Sequence, residues 1–151
     1  MLGLGHDVVD VRAFGEQLGS PGSRMRGLFS ARELRQSAQR AKVKNDGEAV
    51  HLAARWAGKE AFLKAWCEAL SFMSERDDVS FHPPYSIDTF PWPCVEILDD
   101  SHGVPHVVLP LEMRRKLSES LGSPQSHAIH ISLSHDGPVA SAVVHITTDR
   151  G

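Results

Sequence analysis

Two carboxylates in this 151-residue chain have neighbours that suggest chemistry. The first is Glu60, in Arg55-Trp56-Ala57-Gly58-Lys59-Glu60-Ala61-Phe62-Leu63-Lys64-Ala65-Trp66. Stepped at 100° per residue, this stretch is a helix whose most apolar stripe holds Leu52, Trp56 and Leu63, with Glu60 among them. An ionised carboxylate there, left without a partner, is strongly disfavoured. Glu60 therefore needs a cation, and Lys64, one turn on, is the nearest candidate. The plainer alternative is an exposed i,i+4 ion pair, worth a few tenths of a kcal/mol; Trp56, Leu52 and Leu63 are poor company for one.

The second carboxylate is Asp7. Residues 2–11 alternate as a strand, with Leu2, Leu4, His6 and Val8 on one face and Gly3, Gly5, Asp7 and Val9 on the other. Two glycines beside Asp7 leave room for another group to approach the backbone; the plainer alternative is a glycine-weakened edge strand. If Asp7 and Glu60 share a site, one must be protonated or a cation must lie between them. Oxygen-only ligands suit Mg²⁺, which completes its shell with waters and substrate phosphates. Arg55, Lys59 and Lys64 supply the cations that a polyphosphate requires. Such a set would run metal-assisted phosphoryl-type transfer.

These residues need a scaffold to hold them. A central helix is expected at about 46–67, capped by Asn45 with Glu48, and apolar on more than one side because Phe62 lies opposite Glu60. Before it, a helical segment is expected near Phe14–Leu18, ended by Gly19-Ser20-Pro21-Gly22. Ser30 with Glu33 forms a capping box with a Phe29/Leu34 staple, a helix start and nothing more. Residues 71–93 read as a long irregular excursion whose aromatics pack back on the domain. Strands follow at Val95–Leu98 and Val104–Leu109, then a helix from Pro110 to about Leu121. Ile129, Ile131 and Leu133 alternate with His130, Ser132 and Ser134, so that strand's polar face meets either solvent or a polar cleft. After a turn at His135–Pro138, a buried strand returns over Val139–Ile146.

Composition narrows the classes. The length suits a single domain, 1–151, and 41% hydrophobic with 23% charged residues is ordinary for a globular protein. A net charge of −3 gives no global field for nucleic acid or anionic lipid. No apolar run reaches membrane-spanning length and the N-terminus does not read as a signal peptide, so a cytoplasmic protein is expected. Cys67 and Cys94 form no CxxC, and the nine histidines show no zinc spacing.

Four blocks together resemble the holo-acyl-carrier-protein synthases, the small phosphopantetheinyl transferase family. They are Gly3-Leu4-Gly5-His6-Asp7-Val8-Val9, Phe29-Ser30-x-x-Glu33-Leu34, Trp56-x-x-Lys59-Glu60-Ala61-x-x-Lys64-Ala65 and His130-Ile131-Ser132-Leu133-Ser134-His135-Asp136. The resemblance implies an α+β domain, with a long central helix on a mainly antiparallel sheet. It implies transfer of 4′-phosphopantetheine from coenzyme A to a serine of apo acyl carrier protein or a carrier domain. By motif position Asp7 and Glu60 would hold Mg²⁺ and Lys64 would meet the phosphate; the base is Glu60 or a metal-bound water. Arg55, Lys59, Lys64, His130 and Ser132 are the candidates for coenzyme A contacts. A homotrimer with shared sites is implied, with Arg12, Arg24 and Arg26 facing an acidic carrier helix. Alternatives are a silent coenzyme A- or nucleotide-binding trimer, and a structural trimer with a buried Glu60–Lys64 pair. A larger, pseudo-dimeric transferase would need about twice this length. The sequence departs from the family at Gly58, usually Ala, and in the length of 71–93.

Overall fold

The architecture follows from how closely one helix can approach one strand. In the computed structural model, which describes residues 2–77, 80, 82–122 and 127–148, β1 (Gly3–Asp10) is the edge strand of an antiparallel sheet. It pairs with β5 (Val139–Thr148), which pairs with β4 (His127–Asp136), giving the order β1-β5-β4. A side chain at Gly5 would overlap the carbonyl oxygen of Ala61, and one at Gly3 that of Ala65. Both carbonyls belong to α3 (Glu48–Asp77), whose Ala57, Ala61, Ala65 and Ala69 are fully buried. What the two glycines admit is the backbone of the central helix.

α3 outruns the expected 46–67 because no Gly or Pro interrupts 59–82. It also starts later. Asn45 is left-handed (φ 54°) and closes α2 (Ala31–Lys44), so it does not cap α3. α1 (Val11–Gly19) begins where the Asp10 carboxylate accepts from the Ala13 amide at 2.8 Å. A short 3₁₀ turn (Met25–Leu28) leads to Ser30, whose capping box with Glu33 forms as expected.

The excursion is shorter than 71–93, since its first residues extend α3; residues 78, 79 and 81 lie outside the described part. The aromatics do pack back. Trp66, Tyr85, Phe90 and Trp92 follow one another with ring centroids 6.0, 5.7 and 4.5 Å apart. After a 3₁₀ turn at Trp92–Cys94 comes a hairpin of β2 (Glu96–Asp99) and β3 (Pro105–Val108). α4 (Leu111–Ser120) follows and buries Met113 and Leu117. Gly58 has a packing reason: a side chain there would come within 3.0 Å of Ile131 and 3.2 Å of Ile97. The α+β architecture with antiparallel sheets is the one expected.

The helix corrects one expectation. The stripe taken as most apolar turns out to be the open one: Leu52 is buried, but Trp56, Glu60 and Leu63 reach partial exposure and Lys64 is exposed. The alanine side faces the sheet because only small residues permit this spacing.

Candidate active site

Asp7 projects from the inner face of β1, beside the glycines, toward the open stripe of α3. The site is the seam where that stripe meets the strand's free edge. Lys64 Nζ lies 2.8 Å from Asp7 Oδ1 and 3.1 Å from the carbonyl oxygen of His6. One turn further, Glu68 accepts from the Leu4 amide. Residues 60, 64 and 68 thus line an otherwise unpaired edge with charge.

Glu60 faces Asp7 closely enough for a proton on one carboxyl to bridge to the other. Its carboxyl is pushed up to about 7, first by burial, then by the charge of Asp7 and their hydrogen bond, with Lys64 pulling it partly back. Lys64 was expected to be the cation of Glu60; its hydrogen bond goes instead to Asp7. The other Asp7 oxygen, Oδ2, is buried and, with both carboxyls ionised, has no donor to it among the described residues. A hard cation fits this donor set: two adjacent carboxylates, one with a buried oxygen that no donor reaches among the described residues.

Two other expected contacts face elsewhere. Lys59 is 0% exposed, and its ammonium donates to Glu33 Oε2 (2.9 Å), the Trp92 carbonyl (2.7 Å) and the Val95 carbonyl (2.6 Å). Its three donors are spent inside the core, so it is closed to a ligand. Arg55 is also buried, donating to the carbonyls of Ile97 and His51, to Gln36, and to Asp99 Oδ2 at 3.1 Å. Both are corrected to structural roles within this chain.

His130 and Ser132 are exposed on the outer face of β4, opposite the face that carries Asp7. The strand's polar side meets solvent, and among the described residues no contact brings these two to the acidic pair. That outer face also exposes Leu4 (45%), Val8 (55%), Val139 and Val143.

Arg12, Arg24 and Arg26 are exposed around α1 and the first 3₁₀ turn. Arg12 pairs with Glu16, and Arg26 forks onto Glu48 with both bonds at 3.1 Å. Among the described residues Arg24 has no carboxylate in ion-pairing range. Between them and the site is an apolar recess of ≈ 360 Å³, lined by Val8, Phe14, Met25, Leu28 and Trp56 among others. A second cavity, ≈ 200 Å³, is walled by Arg40, Lys44, His51 and His135. The sequence reading used neither. Arg40 and Lys44 on one helix, with His51 four residues before Arg55, were the available signal for the second.

An α+β fold that sets a carboxylate pair beside a lysine at an open helix–strand seam defines a group-transfer site. The chain belongs to the 4′-phosphopantetheinyl transferase superfamily, whose family model matches residues 3–142. It is 63% identical to the holo-[acyl-carrier-protein] synthase of Bifidobacterium adolescentis, over 95% of this chain and 97% of that protein. It is 34% identical to the Corynebacterium efficiens protein of the same name, over 95% and 92%. Among solved structures, the Chronobacterium ammoniagenes ACPS–CoA complex superposes with a TM-score of 0.76 at 32% identity, covering 98% of both chains.

Proposed function

We propose that this chain transfers the 4′-phosphopantetheine of coenzyme A to a serine hydroxyl of apo acyl carrier protein. The observation that carries this is the Asp7–Glu60–Lys64 constellation within a chain of this family. The serine oxygen forms a bond to the β-phosphorus of coenzyme A as the bond to the leaving adenosine 3′,5′-bisphosphate breaks. Lys64, exposed and tethered to Asp7, is placed to offset charge gathering on the phosphate oxygens. Glu60 is the carboxylate placed to take the serine proton, and its raised value of about 7 belongs to the pair without a divalent ion. Asp7 and Glu60 would hold Mg²⁺, which when bound neutralises the transferred phosphoryl group.

Coenzyme A is the co-substrate. The cavity walled by Arg40, Lys44, His51 and His135, with Asp99 held by Arg40 at its side, supports an anionic group of it. The apolar recess, with Arg12, Arg24 and Arg26 exposed on or beside elements that line it, supports an acidic carrier helix with an apolar side chain. The half-apolar outer sheet face, with Leu4, Val8 and Val143, supports a homotrimer. His130 and Ser132 lie on that same face, and in such an assembly they could serve a neighbouring site. Among the described residues no helix is long and apolar enough to cross a membrane, and a cytoplasmic site of action is part of the proposal.

The test is incubation with coenzyme A, Mg²⁺ and apo carrier protein, followed by mass spectrometry of the carrier. The carrier gains the phosphopantetheine mass, and Asp7→Asn or Glu60→Gln abolishes the gain. An unmodified carrier overturns the function; full activity in either variant overturns the metal assignment. Mass in solution tests the trimer, and an active monomer rules out shared sites.

A further inference from the structure

The Phe90–Cys94 segment returns beside the open stripe of α3, and two independent devices fix it there. The first is the buried lysine. Two of the three acceptors of Lys59 Nζ are main-chain carbonyls, one inside this return at Trp92 and one just after it at Val95. Burying an ammonium and the Glu33 carboxylate is expensive, and packed apolar side chains would often be no less stable. What the pair supplies is a position: it pins the backbone at Trp92. The Trp92 amide donates to Phe90 O, and prolines on both sides restrict the chain further.

The second device is aromatic. The Trp92 ring lies 4.5 Å from Phe90, which joins Tyr85 and then Trp66 on α3. Lys116 covers the middle of this row, 4.7 Å over the Tyr85 ring. At the near end Trp92 meets Trp56 with centroids 4.7 Å apart and planes tilted by 55°. Trp56 is partly exposed, lines the apolar recess, and sits one helical turn before Glu60. Among the described residues Trp92 is the aromatic ring in contact with it.

We infer that Trp92 is a positioning residue for carrier recognition: it holds the Trp56 indole as the wall between the recess and the acidic pair. The wall carries the carrier's apolar side chain on one side and leaves Glu60 open to its serine on the other. The aromatic return of the long excursion thereby gains a task, bracing a binding surface from behind. Trp56 also packs against the buried cluster of Phe14, Phe29 and Leu52, and stacking by Trp92 restricts its remaining rotamers before the carrier arrives. This inference rests on the recess being where the carrier docks.

The experiment is steady-state transfer with the full-length chain, apo acyl carrier protein and coenzyme A, varying each substrate in turn. Trp92→Ala is expected to raise KM for the carrier by about tenfold, leave KM for coenzyme A within about twofold, and spare most of kcat. Trp92→Phe is expected to recover most of the loss. In a Trp56→Ala background the Trp92→Ala change should add little, because its effect runs through Trp56. If Trp92→Ala melts too low to assay, Trp92→Leu, which keeps apolar volume without the ring stack, takes its place in the cycle. An unchanged carrier KM overturns the inference. So does an equal effect with and without Trp56, or a parallel loss for both substrates. No transfer by the unsubstituted chain would instead strike the recognition reading itself.

Discussion

Lys59 and Lys64 sit five positions apart on one helix, and each reaches a carboxylate on another element. The Lys59–Glu33 pair is closed: both side chains are 0% exposed. The capping box makes Glu33 more than a helix start, since the same carboxylate accepts from the amides of Ser30 and Ile97 as well as from Lys59. The Lys64–Asp7 pair is open. Lys64 is 56% exposed along its side chain, Asp7 keeps an unpartnered oxygen, and Glu60 adds a second carboxylate with no second cation among the described residues. A complete set of partners makes a strut, and an incomplete one makes a site. Residue type and motif position do not distinguish them; the count of satisfied hydrogen bonds does.

The sharpest way to break that contrast is to remove each lysine. Lys59→Met leaves Glu33 buried without its cation and should cost about 3–5 kcal/mol in urea unfolding. Lys64→Ala removes a largely exposed charge and should cost under about 1 kcal/mol of stability. Its transfer rate should nevertheless fall about 100-fold, the scale of losing one preorganised partner for developing charge. Equal destabilisation by the two changes would erase the distinction between strut and site.

A third substitution probes what brings the open pair together. Gly5→Ala drives a methyl group against the Ala61 carbonyl, with backbone on both sides and no flexible side chain to yield. The expected cost is about 3 kcal/mol, read as a lower urea midpoint. The displaced strand should also move Asp7 away from Glu60 and lower transfer. A variant as stable and active as the parent would mean that the helix–strand spacing is not what assembles the site.

Much of this was legible in the sequence. The glycine–Asp7 face of β1, the stranded hairpins and the capping box all rest on local spacing, which the chain states directly. Lys59 and Arg55 were misplaced because a cation in an apolar helix has two outcomes: a ligand outside, or a carboxylate elsewhere in the chain. Choosing between them needs contacts 26 residues back to Glu33 and 44 residues on to Asp99. The stripe around Glu60 was inverted for a related reason. Its large side chains suggested depth, yet the deepest face is the alanine one, because close backbone approach needs small residues. The recess at Val8, Phe14, Met25, Leu28 and Trp56 was invisible, being assembled from four elements.

The smallest effect concerns protons. Glu60 titrates at about 7 in the folded chain, above the ordinary glutamate value of 4.5. The folded state therefore holds a proton that the unfolded state releases. This contribution to stability is full below the unfolded value and disappears as pH rises through about 7. His127 runs the other way: burial pushes it down, so stability rises as pH climbs through its ordinary range. The two overlap, which makes the difference between the parent chain and Glu60→Gln the informative quantity. Without divalent ion, the parent should lose melting temperature relative to the Gln variant between about pH 5 and about pH 8. Millimolar Mg²⁺ should restore that loss at the upper pH and do little at the lower, where the proton already occupies the pair. Because Glu60 is only half-buried, solvent screening keeps the shift on the scale of surface effects, about 2–4 °C at most. Parallel melting curves for the two proteins would mean that Asp7 and Glu60 do not share a proton, and so would make the open pair as self-sufficient as the closed one.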